Sequence, residues 1–371
     1  MRSNEAISLF LCGDVMTGRG IDQILPHPGN PVLYESYIRD AREYVRLAED
    51  ANGAIPRPVG FDYIWGDALD ELELAETDVR IINLETSITT SEDFWPRKEV
   101  LYRMHPRNIG CLTAARIDCC CLANNHLLDW GYSGLEETLQ ALDRAGTASA
   151  GAGRNAASAR SPAVLDVAGK GRVLVFSFGL TTSGIPRKWG ATEDKPGVNL
   201  LDDLSEQAAC RIASQMLRLS RPGDVTVASI HWGGNWGYDV PSEQIGFARR
   251  LIEEGFSIVH GHSSHHVKAI EVYRDRLILY GCGDFLTDYE GITGHEHFRG
   301  DLALMYLATF DAQQKRLVEL RLVPLQARKF RLNGARADDC VWLRDLLTRL
   351  GNPFGTQVRL EEDKSLTLQW G

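Results

Sequence analysis

The chain has 371 residues, of which 44% are hydrophobic, 24% charged and 8% aromatic, values that exclude a disordered, collagen-like or disulfide-scaffold protein. With 40 basic against 50 acidic residues the formal charge is -10, and no Lys/Arg run exceeds two, so the footprint of a nucleic-acid binder is absent. The apolar run at 7–12 is too short for a signal-peptide core, and no stretch of about 18 apolar residues follows; a cytoplasmic protein without a membrane anchor is expected.

In chain order, short strand-like runs that stop in polar residues alternate with helical patterns, the signature of an α/β fold. Strands are expected at 7–12, 79–83, 118–122, 172–178, 225–231, 257–260 and 277–281. Helices are expected at 132–145, 204–219 and 243–254, with Ser242 as the N-cap of the last. Residues 26–59 form a Tyr- and Pro-rich insertion, helical over 35–48, that would serve as a lid or a substrate wall. Beyond 312 the pattern changes to strands at 316–324 and 328–332, a helix at 341–350 and a further strand region at 358–369. This reads as an extra C-terminal layer. Cys119, Cys120 and Cys121 are consecutive in an apolar run, where strand geometry sends neighbours to opposite faces, and buried reduced thiols are expected for the eight cysteines.

Polar residues gather where each apolar run stops, which is where open α/β sheets bind ligands. In order these are Gly13-Asp14, Asn83-Leu84-Glu85, Asn124-Asn125-His126 with Asp129, His231-Trp232-Gly233, His260-Gly261-His262 with His265 and His266, and Gly283-Asp284. Any one of them is an ordinary turn former. Six in strand order imply a site, and carboxylate, amide and imidazole donors without a thiolate make a mixed ligand set for a divalent ion. His27 and His105 stand beside prolines in loops and are expected to be structural.

These motifs, from Gly13-Asp14-Val15-Met16 to Gly283-Asp284-Phe285, resemble the CapA-like poly-γ-glutamate biosynthesis family of the calcineurin-like metallophosphoesterase superfamily, over roughly residues 7–310. The resemblance implies a β-sandwich flanked by helices. A catalytic domain would span 1–311, with 312–371 a small α+β extension packed on it. It further implies Asp14, Glu85, Asn125, His231 and His262 as metal ligands, with His126 doing acid/base work beside them and Asp129 orienting it. Met16 stands where two-metal phosphoesterases carry a histidine, and Glu85 replaces an aspartate. One divalent ion, Ca, Mn or Zn, is therefore expected instead of the dinuclear clamp.

Three functions follow. The first is a metal-dependent peptide epimerase, as in peptide natural products such as lasso peptides or in poly-γ-glutamate synthesis. Inverting a Cα centre needs a base on one face and an acid on the other, and histidine meets that need with least tuning. His126 would act with His265 or His295, each steadied by a carboxylate from Asp14, Asp129, Asp284 or Asp301. Trp65, Trp95, Trp232 and Trp236 are candidates for a peptide-binding wall, and Arg299 in the Gly-rich loop at 291–301 is expected near the same pocket. The second is a metallophosphoesterase, disfavoured by Met16 and by the lack of a basic cluster to hold phosphate. The third is a non-enzymatic scaffold in a peptide-ligase complex.

Overall fold

The computed structural model describes residues 6–371 and contains two large sheets packed face to face with helices on their outer sides. The first sheet runs, edge to edge, through Thr356–Leu360, Leu366–Trp370, Arg316–Ala327, Leu302–Asp311, Ala6–Val15, Val79–Leu84, Cys119–Cys121 and Ala148–Ala150. The second runs through Ile270–Tyr273, Arg276–Leu279, Ile258–His262, Val225–His231, Gly171–Gly179 and Ala163–Val167. This is the helix-flanked sandwich that the family resemblance implies.

Strand alternation explains why the sheets stack. Ile7, Leu9 and Leu11 turn inward to meet Val173, Val175, Val225, Val227 and Ile258 of the second sheet, whereas Phe10 and Cys12 face the opposite layer. The cysteine run obeys the same rule, with Cys119 and Cys121 between the sheets and Cys120 on the other face. All eight cysteines are free, and all but the half-buried Cys210 are buried. On the outside of the second sheet, helices Glu206–Leu219 and Ser242–Glu253 cover Leu174, Phe176, Ala228 and Ile230.

Several elements differ from their expected form. Ser242 is the first helical residue and makes no capping bond; Pro241 precedes it in extended conformation. In the other helix Ser205 does cap, accepting from the Ala208 amide. The insertion's helix is Arg42–Asn52, not 35–48, because the Glu35 side chain is drawn inward and the chain at 32–40 closes into a bridge instead. Residues 328–331 are a tight turn, and the strand after it is Leu332–Gly334. Residues 358–369 are not one strand: Thr356–Leu360 and Leu366–Trp370 form an antiparallel pair. The segment beyond 312 is no separate layer. Its strands extend the first sheet, and Arg316–Ala327 pairs along Leu302–Asp311.

One buried cation ties the insertion to the core. Arg19, in the left-handed region at φ 46°, donates from Nε and Nη2 to Asp288 at 3.1 and 2.5 Å and from Nη1 to Glu35 at 3.1 Å. Tyr44 and Tyr102 accept further bonds from it at 2.8 and 2.9 Å. Arg19→Met would leave two buried carboxylates unpaired, so urea unfolding should show a loss of roughly 3–5 kcal/mol; an unchanged midpoint would contradict this role.

Candidate metal and acid/base centre

The central strands of both sheets are parallel, so their C-terminal ends collect at one edge of the sandwich. Asp14 reaches that edge through a register shift between Leu11 and Asp14. Gly13 makes the approach possible, since a Cβ there would lie 1.6 Å from the Gly283 carbonyl oxygen. The Asp14 amide donates to that same oxygen at 3.0 Å, and Asp14 is thereby set opposite Asp284. Across the sandwich, His231 and His262 sit opposite each other in register.

Asp14 is fully buried, and the Asn83 amide clamps it, donating to Asp14 Oδ1 at 2.7 Å and to Glu85 Oε2 at 3.1 Å. His231 Nδ1 and His262 Nδ1 approach to 2.8 Å, and His262 Nδ1 lies 3.9 Å from Asp14 Oδ1. On the other side of the His231 ring, Nε2 is 3.0 Å from Asn125 Oδ1 and 3.8 Å from Glu85 Oε1. Ser229 Oγ holds the far nitrogen of His262 at 2.8 Å and His260 Nδ1 at 3.1 Å. His260 turns its other nitrogen to the Cys12 carbonyl at 2.7 Å, so it supports the site from behind.

These residues fit a bound cation. Asp14, His231 and His262 form one group, and Asp14, His265 and Asp284 a second, with ligand atoms within 4.8 Å of one another in each. Asp14 is common to both. Asp14 Oδ2 and Asp284 Oδ2 are buried without a hydrogen-bond partner. Burial, followed by the charge of Asp284, pushes the Asp14 carboxyl up to about 7, and burial followed by Asp14 and Asp284 pushes Glu85 well above the carboxylate range. Burial also holds His231 and His262 well below the usual imidazole value, so their rings are neutral donors. Crowded carboxylates beside neutral imidazoles are what a divalent cation resolves.

Two histidine–carboxylate pairs flank this cluster. His126 Nδ1 lies 2.6 Å from Asp129 Oδ2, and His126 Nε2 points toward Glu85 Oε1 at 3.8 Å. Burial, opposed by Asp129, lowers His126 to about 4 and keeps it neutral. His265 Nδ1 lies 2.8 Å from Asp284 Oδ1; burial pulls this histidine down, but Asp284 outweighs it and the net shift is upward. Sequence reasoning missed Lys98, whose Nζ is 2.9 Å from Asp129 Oδ1 and 3.1 Å from His126 Nδ1. It comes from the loop between Ser87–Ile88 and Arg103–Met104, in which the sequence reading singles out only Trp95.

A cleft opens over these groups in two lobes that share Val100, Asn235, His265 and Tyr289. The lobe of 480 Å³ contains Glu85, Asn125, His126 and His265, together with Arg97, Lys98 and Lys188. The sequence shows no basic cluster to hold phosphate, yet the fold brings the adjacent Arg97 and Lys98 together with the distant Lys188 in this lobe. The lobe of 520 Å³ contains His265, Asp284, Trp236, His295 and Arg299. His295 stacks on Trp236 with ring centroids 4.1 Å apart and has no carboxylate partner among the described residues. Asp301 pairs with Arg299, at 2.8 Å, and not with a histidine; Asp339 takes the other arm of Arg299 at 2.8 Å. Trp232 is not a substrate wall. Its indole is buried and donates to the Tyr280 carbonyl at 3.0 Å. Trp65 is likewise buried, donating to the Cys111 carbonyl.

The family described as bacterial capsule synthesis protein PGA_cap matches residues 8–289. The chain belongs to this family. A probable polyglutamine synthesis accessory protein of Mycobacterium tuberculosis is 49% identical over 363 residues, covering 98% of this chain and 96% of that one. The capsule biosynthesis protein CapA of Bacillus anthracis is 23% identical, over 77% of this chain and 61% of that one. The PGA biosynthesis protein CapA of Bacillus subtilis is 24% identical, over 77% and 64%. Among the described residues no helix is long and apolar enough to cross a membrane.

Proposed function

We propose that this protein is a metal-assisted peptide epimerase that inverts a Cα centre by two-base chemistry, serving the synthesis of a polyglutamate-type polymer or a related peptide. The observation that carries the reading is that two histidine–carboxylate pairs, His126–Asp129 and His265–Asp284, open onto one lobe of the cleft. His126, neutral and oriented through Nδ1 by Asp129, takes the Cα proton at Nε2. His265, charged by its pairing with Asp284, returns a proton to the opposite face, and the reverse reaction exchanges the two roles. One divalent cation held by Asp14, His231 and His262, with Glu85 and Asn125 against the His231 ring, would supply electrostatic stabilisation to the carbonyl oxygen as charge develops there. Lys98 keeps Asp129 and His126 in place, and Trp236 lines the route by which a peptide side chain enters.

The test is deuterium uptake at Cα, read by mass spectrometry, when the metal-loaded protein meets glutamate-containing peptides in heavy water. One deuterium per inverted residue, absent with chelator, is expected; silence across peptides covering each candidate residue would sink the reading. A phosphate-ester hydrolase is the second reading, favoured by Arg97, Lys98 and Lys188 lining the lobe beside the metal-binding groups. Metal content separates the two. One ion per chain leaves His265 free for proton transfer, whereas two ions would occupy the His265–Asp284 group, and turnover of phosphate esters should then be found.

A further inference from the structure

The 520 Å³ lobe adjoins a second cavity of 580 Å³, with Asn52 and Arg328 lining both. The rim of that cavity is the turn at 328–331, closed by the Arg328 amide donating to the Arg331 carbonyl at 2.9 Å and by the reverse bond at 3.3 Å. Its central residues, Lys329 and Phe330, have φ of 61° and 52°, positions that a tight hairpin turn normally gives to asparagine and glycine. A lysine and a phenylalanine are strained there.

Two contacts hold the strain. The Glu290 carboxylate accepts from the Lys329 amide at 2.7 Å, the Phe330 amide at 2.6 Å and the Asn52 side chain at 2.6 Å. Phe330 is buried against Gly20, where a Cβ would lie 3.0 Å from its ring. The turn so fixed presents Arg328, Lys329 and Arg331 to one groove floored by Tyr63 and Asn333. Arg331 is paired with Asp67 at 3.0 Å. Arg328 has no acidic partner among the described residues, and Lys329 Nζ reaches only the Ala54 carbonyl at 3.3 Å. In a chain of charge -10, two cations without an acidic partner among the described residues, on a strained, pinned turn, form a local seat for negative charge.

We propose that this groove is an anion subsite for an acidic segment of the peptide whose reacting residue lies at the metal centre, so that the substrate is recognised at a distance from the residue it presents for inversion. The assignment of the anion to a peptide rests on the proposed function. The groove's preference for carboxylates is tested separately, by fluorescence anisotropy of a labelled peptide of alternating glutamate and glycine against its glutamine counterpart, with chelator present so that the metal centre takes no part. The 371-residue protein should bind the glutamate peptide roughly tenfold more tightly, as two solvent-screened charge contacts allow, and high salt should erase the difference. Arg328→Gln with Lys329→Gln should abolish the preference, and Arg328→Gln alone, at an exposed side chain, should reduce it without altering the melting temperature. Equal binding of the two peptides, or a preference that survives both substitutions, would overturn the proposal. Tripolyphosphate displacing the peptide at a lower concentration than the unlabelled acidic peptide would assign the groove to a phosphate ligand and overturn it as well. A protein that keeps the glutamate preference but takes up no deuterium at Cα retains the subsite and loses only the epimerase reading.

Discussion

Asp14→Asn is expected to abolish divalent-cation binding and, at neutral pH, to raise the melting temperature of the metal-free protein. Both effects come from the same carboxylate. Asp14 is the residue shared by the two groups that could hold an ion, so its loss removes a charged ligand from each. Without an ion it is a liability: it is fully buried, its Oδ2 has no hydrogen-bond partner, and Asp284 stands opposite it in register. Asparagine keeps the shape and an oxygen for the Asn83 amide to donate to, while removing the charge. Functional sites are often unstable in this way, and neutralising them stabilises the fold at the expense of activity.

The sign of the pH dependence follows. Burial first, and then Asp284, raise the folded carboxyl of Asp14 from an ordinary value near 4 to about 7, and Glu85 shifts in the same direction. In this window the folded state binds more protons than the unfolded state. Stability of the metal-free protein must therefore fall as pH rises from about 4 through 7, at about 1.4 kcal/mol per unit for each fully shifted group. The asparagine variant should lose part of that slope, and a saturating cation should flatten it in the wild type by occupying the charged form. Thermal melts with and without chelator across this range, beside calorimetric titration with Mn, check the set. Wild-type affinity for Mn in the variant, or a lower melting temperature than the wild type at neutral pH in chelator, would refute the assignment of Asp14.

The metal-binding side of the site was legible in the sequence because parallel strands end abruptly. The apolar runs 79–83 and Val225–His231 each stop in a polar residue that meets the cluster around Asp14, so the strand-end motifs marked residues that come together in space. The alternation of Cys119, Cys120 and Cys121 was equally readable, since period 2 is a local property of a strand. What stayed hidden depends on long-range closure. Arg97 and Lys98 lie in the loop between Ser87–Ile88 and Arg103–Met104, and Lys188 in the short helical turn Arg187–Trp189; neither segment carries a periodicity, and only the fold brings them to the lobe that His126 lines. Trp232 follows His231 directly, yet it turns away from the cluster and into the core. The insertion's helix began later than its pattern suggested because Glu35 answers a buried Arg19, a partner 16 residues away that no helical period reveals.

The two histidines should also behave unequally when removed singly. On the proposed epimerase reading, His126→Gln and His265→Gln are each expected to reduce epimerisation by roughly 10²–10⁴-fold, the usual range for loss of a positioned acid or base. A two-base centre makes a sharper demand than loss of rate. The enzyme lacking His126 keeps the group on the opposite face, and should still exchange the Cα hydrogen of one epimer with solvent while failing to invert it. The enzyme lacking His265 should exchange the other epimer instead. A single-base mechanism predicts that one variant is silent toward both epimers and the other nearly normal. Because His126 is held by Asp129 and Lys98 and His265 by Asp284, each substitution leaves the other pair's anchor intact, and the two exchange patterns can be compared in otherwise equivalent sites. Mass-spectrometric exchange of separately prepared L- and D-configured peptides reads the result, and identical epimer preference in both variants would exclude the assignment of one histidine to each face.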